Sequence, residues 1–457
     1  MSNTDRPSRI FKKNSIPEKR QEENIMKKKW LSALLVTAMV TGLAAGCGNN
    51  GEEEPSEEGG KTLEVWLAPL DDDTEKNWGD LLGDWEKEHD CTVDITVIPW
   101  DKYQETYSTA MSSGEGPDVG YMYNEMILPY IESGAIVDMT DYITEEDEAE
   151  YKYLQNGYMM DGQYGWPLVT GVPFVLYYNV DILNELGEQP PETWDDFVRI
   201  CEKATQDTDG DGEIDQYGYA VGMNTTDIGP AQILNAYYYS VLWQNGSNIY
   251  NDDMKSVRFA DEAGTEAMTW MKDLTQYMNP DFMSYSWSDA FSTIFGEGKA
   301  AFGVNRSAQT DETTYAESYP DLNWDYVTSL KNVDYGTFGA TDSLTLMSDA
   351  DDPDLAMDFI KYVTGAEFME QYHAKCPGAA LTNSEPYVGD PKMERIYTED
   401  TDKWHGIQVG PCGDEILTQL AADLQGIMSG ELTVEEGLAE AEEYSNQLLD
   451  EYWADKE

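Results

Sequence analysis

The sequence predicts an α/β protein of two lobes, and three observations carry that reading. Strand-type and helix-type hydrophobic periodicities alternate along the chain. The part able to fold, from Lys61 onward, runs to about four hundred residues, too many for one ordinary core. No internal repeat accounts for that length.

The elements follow in order. Leu63, Val65 and Leu67 alternate with Thr62, Glu64 and Trp66, a strand pattern. Trp78, Leu81, Leu82 and Trp85 fall at i, i+3, i+4 and i+7, one face of an amphipathic helix. Val93, Ile95 and Val97 alternate again. Tyr103, Tyr107 and Ala110 with Met111 form a second helical face, and 118–123 reads as a third strand. A β-α-β-α-β series implies a parallel sheet with right-handed crossovers. Pro190 and Pro191 then break the chain before Thr193, which with Asp196 forms an acidic variant of a capping box. Trp194, Phe197, Val198 and Cys201 make the buried stripe of the helix it starts. Asp352-Pro353 is an N-cap and N1 pair before Leu355, Phe359, Ile360 and Val363. Thr433 and Glu436 cap a last helix carrying Leu438, Ala441, Tyr444 and Leu448. Trp78, Trp85, Trp194 and Trp270 sit on helix stripes and are assigned to the core.

Ahead of the body, Met26 to Cys47 reads MKKKWLSALLVTAMVTGLAAGC. Three lysines, an apolar run from Trp30 to about Val40 and the small residues Ala44-Ala45-Gly46 have the order of a secretory signal. The apolar core falls short of the ~20 residues that a spanning helix needs. A cysteine directly after the small residues resembles a bacterial lipobox, with Ala44 where leucine is usual. The resemblance implies that Cys47 is lipidated and becomes the N-terminus. Residues 1–25 read as a non-native or mis-started extension, 26–46 as the signal peptide, and 47–60 as a flexible acidic linker whose Gly, Asn, Glu, Pro and Ser cannot bury enough apolar surface to order themselves. The expected location is the extracellular face of the cytoplasmic membrane of a Gram-positive bacterium, held by the lipid alone.

Residues 1–46 hold 9 of the 28 basic and 4 of the 89 acidic residues, so the remainder keeps 19 and 85, a formal net of −66. Such a body repels nucleic acid and anionic lipid surfaces. It favours a neutral ligand or a cation over a polyanion. Cys91 and Cys201 read as buried free thiols. Cys376 and Cys412 lie in Gly/Pro-containing loops, where an oxidising location would allow them to pair. No C-x-x-C occurs, and His89, His373 and His405 are scattered, which gives a zinc site little support.

The segment from Asp207 to Gly218 matches the D-x-D-x-D-G front half of a calcium loop. Oxygens at alternating positions converge on one hard cation, and Gly212 permits the sharp turn. Asp207, Asp209, Asp211, Glu213 and Asp215 are the candidate ligands for a structural Ca2+. Gly218 stands where the loop's bidentate glutamate belongs, so a carboxylate from elsewhere has to complete the shell.

Several segments together resemble one family, the extracellular solute-binding proteins of carbohydrate ABC transporters related to maltose-binding protein. They are Leu63-Glu-Val-Trp66-Leu-Ala-Pro69; Gly116-Pro117-Asp118-Val119 with Tyr130-Ile-Glu-Ser-Gly134-Ala-Ile-Val-Asp138; Gly165-Trp166-Pro167 with Tyr177-Tyr178-Asn179-Val-Asp181; Pro191-Glu-Thr193-Trp194-Asp-Asp-Phe197; Phe295-Gly-Glu-Gly298-Lys299-Ala300-Ala301; and Asp354-Leu-Ala356-Met-Asp-Phe359. They run in order over nearly the whole body, and no hydrolase motif is among them. The resemblance implies a type II periplasmic-binding-protein fold, the Venus flytrap, with hinge crossings between lobe one at about 61–169 plus 343–388 and lobe two at about 170–342 plus 389–457. It implies a monomer without catalytic chemistry that captures a carbohydrate, a neutral oligosaccharide by charge, and delivers it to ABC permease subunits.

Sugar C–H faces stack on aromatic rings and sugar hydroxyls pair with planar polar side chains. The resemblance then points to Trp66 and Pro69 after the first strand, and to Tyr123, Asn124 and Glu125 after the third. Trp166 and Thr170 lie near one hinge crossing, Thr341 and Asp342 near another. Asn235 and Tyr237 match a segment where the family supplies an aromatic and polar contact, Trp243 follows in a turn, and Trp287 precedes the Phe295 motif. Arg306 and Ser307 stand where many members carry an aromatic contact, which implies a polar contact instead. Glu125 and Arg306 read equally well as halves of structural ion pairs. Two other functions stay open on the same residues: a receptor for a peptide or polyamine, which the acidic body favours, and a surface glycoside hydrolase with two carboxylates across its cleft.

Overall fold

This computed structural model describes residues 60–225, 231–307, 319–375, 385–388 and 391–456. The leader, Cys47 and residues 48–59 of the linker lie outside the described residues, as do Cys376 and the side chain of Glu125. No helix among the described residues is long and apolar enough to cross a membrane.

The first sheet has the order β2-β1-β3-β11-β6. Strands β1 (Lys61–Leu67), β2 (Cys91–Val97) and β3 (Val119–Tyr123) run parallel, as the alternating pattern predicts. Helices α1 (Thr74–His89) and α2 (Tyr103–Ser113) make the crossovers, and α3 (Asn124–Ser133) follows β3. Trp78, Leu82 and Trp85 are buried on α1. The Asp118 carboxylate accepts the N–H groups of Glu64 and Asp351, both at 2.8 Å, which ties the start of β1 to the chain beyond β11.

After a small hairpin, β4 (Tyr158–Met159) and β5 (Gly162–Gln163), strand β6 (Trp166–Gly171) closes the edge of the first sheet. The chain then passes through Val172 and Pro173 into a second sheet of order β10-β7-β9-β8. Its strands are β7 (Phe174–Asn179), β8 (Tyr217–Ala220), β9 (Ala300–Arg306) and β10 (Trp324–Val327). Between β7 and β8 lies α4 (Trp194–Ala204), whose N-cap Thr193 accepts the Asp196 N–H. Phe197, Ile200 and Cys201 are buried on it, and Trp194 stacks on half-buried Trp270 with ring centroids 4.1 Å apart. Among the described residues, Cys91, Cys201 and Cys412 form no disulfide with one another, and the expected pairing of Cys412 with Cys376 lies outside them.

Strand β11 (Ala340–Leu346) returns to the first sheet, antiparallel to both β3 and β6. Helices α5 (Pro353–Thr364) and α6 (Ala366–Lys375) then cover the first core, with Asp352 capping α5. Phe368 of α6 meets Trp78 at 5.3 Å and Phe359 of α5 meets Trp85 at 5.2 Å. From Tyr387 on, side chains join the second lobe: Met393, Ile396, Tyr397 and Trp404 pack with Val175 and Tyr177. Helices α7 (Gly413–Ser429) and α8 (Val434–Ala454) complete that core, and the Thr433–Glu436 capping box opens α8. The buried stripe of α8 includes Leu438, Ala441, Ser445 and Leu449, at i, i+3, i+7 and i+11; Tyr444 lies off that stripe and is exposed, and Leu448 is half-buried beside it. Beyond the end of α8, Lys456 pairs with Glu132 of α3 at 2.8 Å, and the Tyr452 hydroxyl donates to the same carboxylate.

The Trp78 indole is fully buried between α1 and α6. Trp78→Ala leaves a cavity there and lowers the unfolding free energy by about 3–5 kcal/mol, read as a lower urea midpoint at unchanged slope.

Candidate ligand-binding cleft

The two sheets meet at their strand ends. Thr170 and Thr341 are register partners on β6 and β11, and Gly171 pairs with Ala340. Just beyond, the Phe174 N–H donates to the Phe338 carbonyl at 2.9 Å. The outgoing and returning crossings are thus one antiparallel ribbon. Gly171 has φ 122° and Val172 φ 51°, a left-handed turn in which a β-branched residue is strained.

On the first-sheet side, the Tyr121 hydroxyl of β3 donates to the Asp342 carboxylate of β11. Tyr121 is further held through its carbonyl, which accepts from the Tyr103 hydroxyl at 2.7 Å and the Tyr107 hydroxyl at 3.0 Å. Burial pushes both phenols well above their ordinary pKa, so they remain protonated donors. Trp100, which ends the loop after β2, is 50% exposed, with its ring 5.3 Å from Tyr103 and 6.1 Å from Tyr121. Half-buried Trp66 packs edge-on against Tyr107, and the Tyr123 hydroxyl accepts from Gln104 at 2.7 Å.

On the second-sheet side, Arg306 ends β9 opposite Phe174 at the start of β7. Its guanidinium lies 5.5 Å from the Phe174 ring centroid and 5.9 Å from that of Trp287. Among the described residues its polar contact is the Gln232 side-chain oxygen at 3.5 Å. Arg306 is exposed, yet the protein around it desolvates the charge and lowers its pKa against the opposing pull of Asp342 and Tyr121. Asp342 is half-buried, and desolvation raises it to about 6 although the Tyr121 hydrogen bond and the Arg306 charge lower it. Solvent reaches both groups while protein crowds them on most sides, as on the wall of a cleft. The two charges face each other from different sheets.

The structure therefore brings Trp66, Tyr123, Trp287, Arg306 and Asp342 to the strand ends, with Pro69 half-buried in the loop after β1. Thr341 and Thr170 are buried in the ribbon; the Thr341 hydroxyl accepts from Asn156 at 3.0 Å, and that of Thr170 has no partner among the described residues. Asn124 is buried as a tie, donating to the Asn156 carbonyl and accepting from the Ser343 hydroxyl.

Five expected ligand residues belong to the cores instead. Trp166 is fully buried in the first lobe against Tyr151, because both faces of β6 are covered. Asn235 and Tyr237 lie in a π-helical turn, Leu234–Tyr238, that buries all five of its residues. The Tyr237 hydroxyl accepts from the Gly222 N–H, and its ring lines an apolar cavity of about 60 Å³ inside the second lobe. Trp243 is buried with its indole N–H on Asn248, and Ser307 pairs its hydroxyl with that of Tyr397 at 3.0 Å. A larger groove of about 610 Å³ opens at the other end of β3, between α2, α3 and the end of β11, away from these charges. Trp100, Tyr121, Phe174 and Gln232 were not anticipated; Trp100, directly after Pro99 at a strand's C-terminal end, carried the one local signal.

Between α4 and β8, Asp207, Asp209 and Asp211 hold carboxylate oxygens within 4.8 Å of one another. Asp207 accepts from the Gly210 and Gly212 N–H groups, and both glycines have positive φ. Glu213 and Asp215 lie outside this group. The Asp215 carboxylate is turned to the Thr208 N–H and hydroxyl, each at 2.9 Å, which holds it below the usual carboxylate range.

Residues 81–386 match the family model described as bacterial extracellular solute-binding protein. A binding protein of Brucella abortus is 22% identical over 291 residues, 62% of this chain and 66% of that protein. The diacetylchitobiose binding protein DasA of Streptomyces coelicolor is 28% identical over 194 residues, 41% of this chain and 45% of that one. The chain therefore spans just under two thirds and just under half of those relatives' lengths. Among solved structures, the cyclic alpha-maltosyl-1,6-maltose binding protein of Arthrobacter globiformis superposes with a TM-score of 0.70 at 17% identity, covering 86% of this chain and 100% of that one. The sugar-binding protein MalE of Xanthomonas citri gives 0.71 at 16%, covering 87% and 100%.

Asp342 has a folded pKa above its unfolded value, so the folded chain binds the extra proton between about pH 4 and 6. The stability tied to that proton is full below about pH 4 and is lost as pH rises through about 6. Asp342→Asn is accordingly more stable than the parent at pH 7.5, and the gap in urea midpoint closes by about pH 4.

Proposed function

Because the chain belongs to the bacterial extracellular solute-binding protein family, we propose that it captures a carbohydrate between its two sheets and passes it unaltered to the permease of an ABC importer. The observation that carries this reading is the placement on facing strand ends of an acceptor, Asp342, and a donor, Arg306, near two aromatic rings, exposed Trp100 and half-buried Trp287. Sugar hydroxyls both donate and accept, and their C–H faces take aromatic rings, so one sugar satisfies all of these groups at once. The relatives named for diacetylchitobiose and cyclic maltosyl-maltose support the same ligand class. A lipid on Cys47 keeps the receptor, a monomer, beside its membrane partner on the outer face of a Gram-positive cell. Two lobes on one ribbon close over the ligand by hinge bending.

Calcium is proposed as a structural ion at Asp207, Asp209 and Asp211, whose three like charges repel one another until a cation sits among them. The ion fixes the turn between α4 and β8 and takes no part in capture.

Titrating the full chain with neutral mono- and oligosaccharides, polyamines and short peptides, read by tryptophan fluorescence, separates the readings. Saturation by one sugar class with intact sugar recovered supports capture. Saturation only by a peptide or polyamine discards the sugar, and cleaved product makes the protein an enzyme. Trp100→Ala weakens sugar binding about tenfold, roughly 1.4 kcal/mol, with the unfolding midpoint unchanged. Calcium at about a hundredfold over its Kd stabilises the parent by about 2.7 kcal/mol and does nothing for Asp209→Ala; equal shifts in both proteins place the ion elsewhere.

A further inference from the structure

Arg306 differs from the other arginines of the body in what it touches. Four arginines lie beyond residue 60. Arg199 pairs with Glu188 and Asp196, Arg258 with Asp261 at 3.0 Å, and Arg395 with Asp400 at 3.3 Å. Arg306 contacts no carboxylate among the described residues, although the chain after the leader holds 85 acidic residues. Among the described residues it meets the Phe174 and Trp287 rings and makes one long contact to Gln232. The carboxylate nearest in function, Asp342, sits on the other sheet and is engaged by the Tyr121 hydroxyl. A cation crowded by protein at the cleft wall, with no contacting anion among the described residues, lies at some cost, and a ligand that brings the anion removes that cost.

We propose that the captured saccharide carries a carboxylate, as a uronic acid unit does, and that this group pairs with the Arg306 guanidinium. The inference rests on the carbohydrate-capture reading. A planar carboxylate matches the guanidinium fork with two parallel N–H···O bonds, and the pyranose ring beside it reaches Trp287. One guanidinium answers one negative charge. A dianionic phosphate adds a second charge facing Asp342 and the acidic body, so a single carboxylate fits best. The bulk charge that favoured a neutral ligand acts at long range and is screened within about 10 Å at 0.1 M salt, whereas a contact pair inside a cleft is screened far less.

Isothermal titration of the full chain with glucuronate, galacturonate, their disaccharides and the neutral sugars of the same linkage tests this, with acetate as a sugar-free carboxylate. At least one uronate is expected to bind about tenfold or more tightly than its neutral match, with acetate inert. Arg306→Gln weakens the uronate more than its neutral match, so that the preference between the two is erased, and Arg306→Lys keeps part of it. Rising salt weakens the uronate alone. Neutral sugars binding as tightly as uronates, or Arg306→Gln weakening both alike, overturns the carboxylate and leaves carbohydrate capture standing. Acetate binding as tightly as the uronates also overturns it, since the sugar then contributes nothing. If no saccharide of either kind binds, the capture reading fails and this one falls with it.

Discussion

The ribbon formed by β6 and β11, with Phe174 bonded to Phe338 just past it, is the constraint on which the rest of the molecule depends. Each sheet buries its own core, with Trp78 and Trp166 in one and Phe197 and Phe302 in the other. Two such cores in one chain need connections that are short and that satisfy their own backbone polar groups. Pairing the outgoing strand with the returning one does both. It also fixes where the sheets meet, at the ends of β3, β11, β7 and β9, so the side chains there face a gap and not a core.

That position explains the electrostatics. A carboxylate raised to about 6 and an arginine lowered by desolvation both lie at some cost to folding, and they sit opposite one another where the sheets converge. Tyr121 steadies the first from within β3, itself anchored by Tyr103 and Tyr107. Phe174 and Trp287 flank the second. Costs of this kind persist where a ligand relieves them, which is why the pair reads as a site and the well-satisfied ion pairs of Arg199 and Arg395 read as surface structure.

Much of the fold was legible because its signals are local. The periodicities of 63–67, 78–85 and 93–97 and the caps at Thr193, Asp352 and Thr433 each depend on neighbours a few residues away. The insertion of β11 between β3 and β6 depends on residues more than a hundred positions apart, and no local pattern announces it. The site was legible in part for the same reason. Asp342 falls next to a crossing, where position along the chain implies position in space; Arg306 was pointed to by the family resemblance, and the pairing of β9 with β7 carries it there. Trp166 also lies next to a crossing, but whether a strand tryptophan faces a core or a cleft is decided by what covers the strand. Asn235 and Tyr237 were lost to a π-helical turn, which changes the angle at which every residue in it points. Tyr121 looked like any buried strand residue, since its hydroxyl reaches the cleft only through the pairing of β3 with β11.

On this reading the ligand is held between the strand ends of the two sheets. Hydrogen exchange of the full chain, with and without a saturating saccharide, tests it most directly. Exchange is expected to slow at 100–104, 121–124, 304–307 and 340–342 together, from both lobes at once. Protection confined to one lobe, or centred on the groove between α2 and α3 at 108–117 and 129–135, would contradict it.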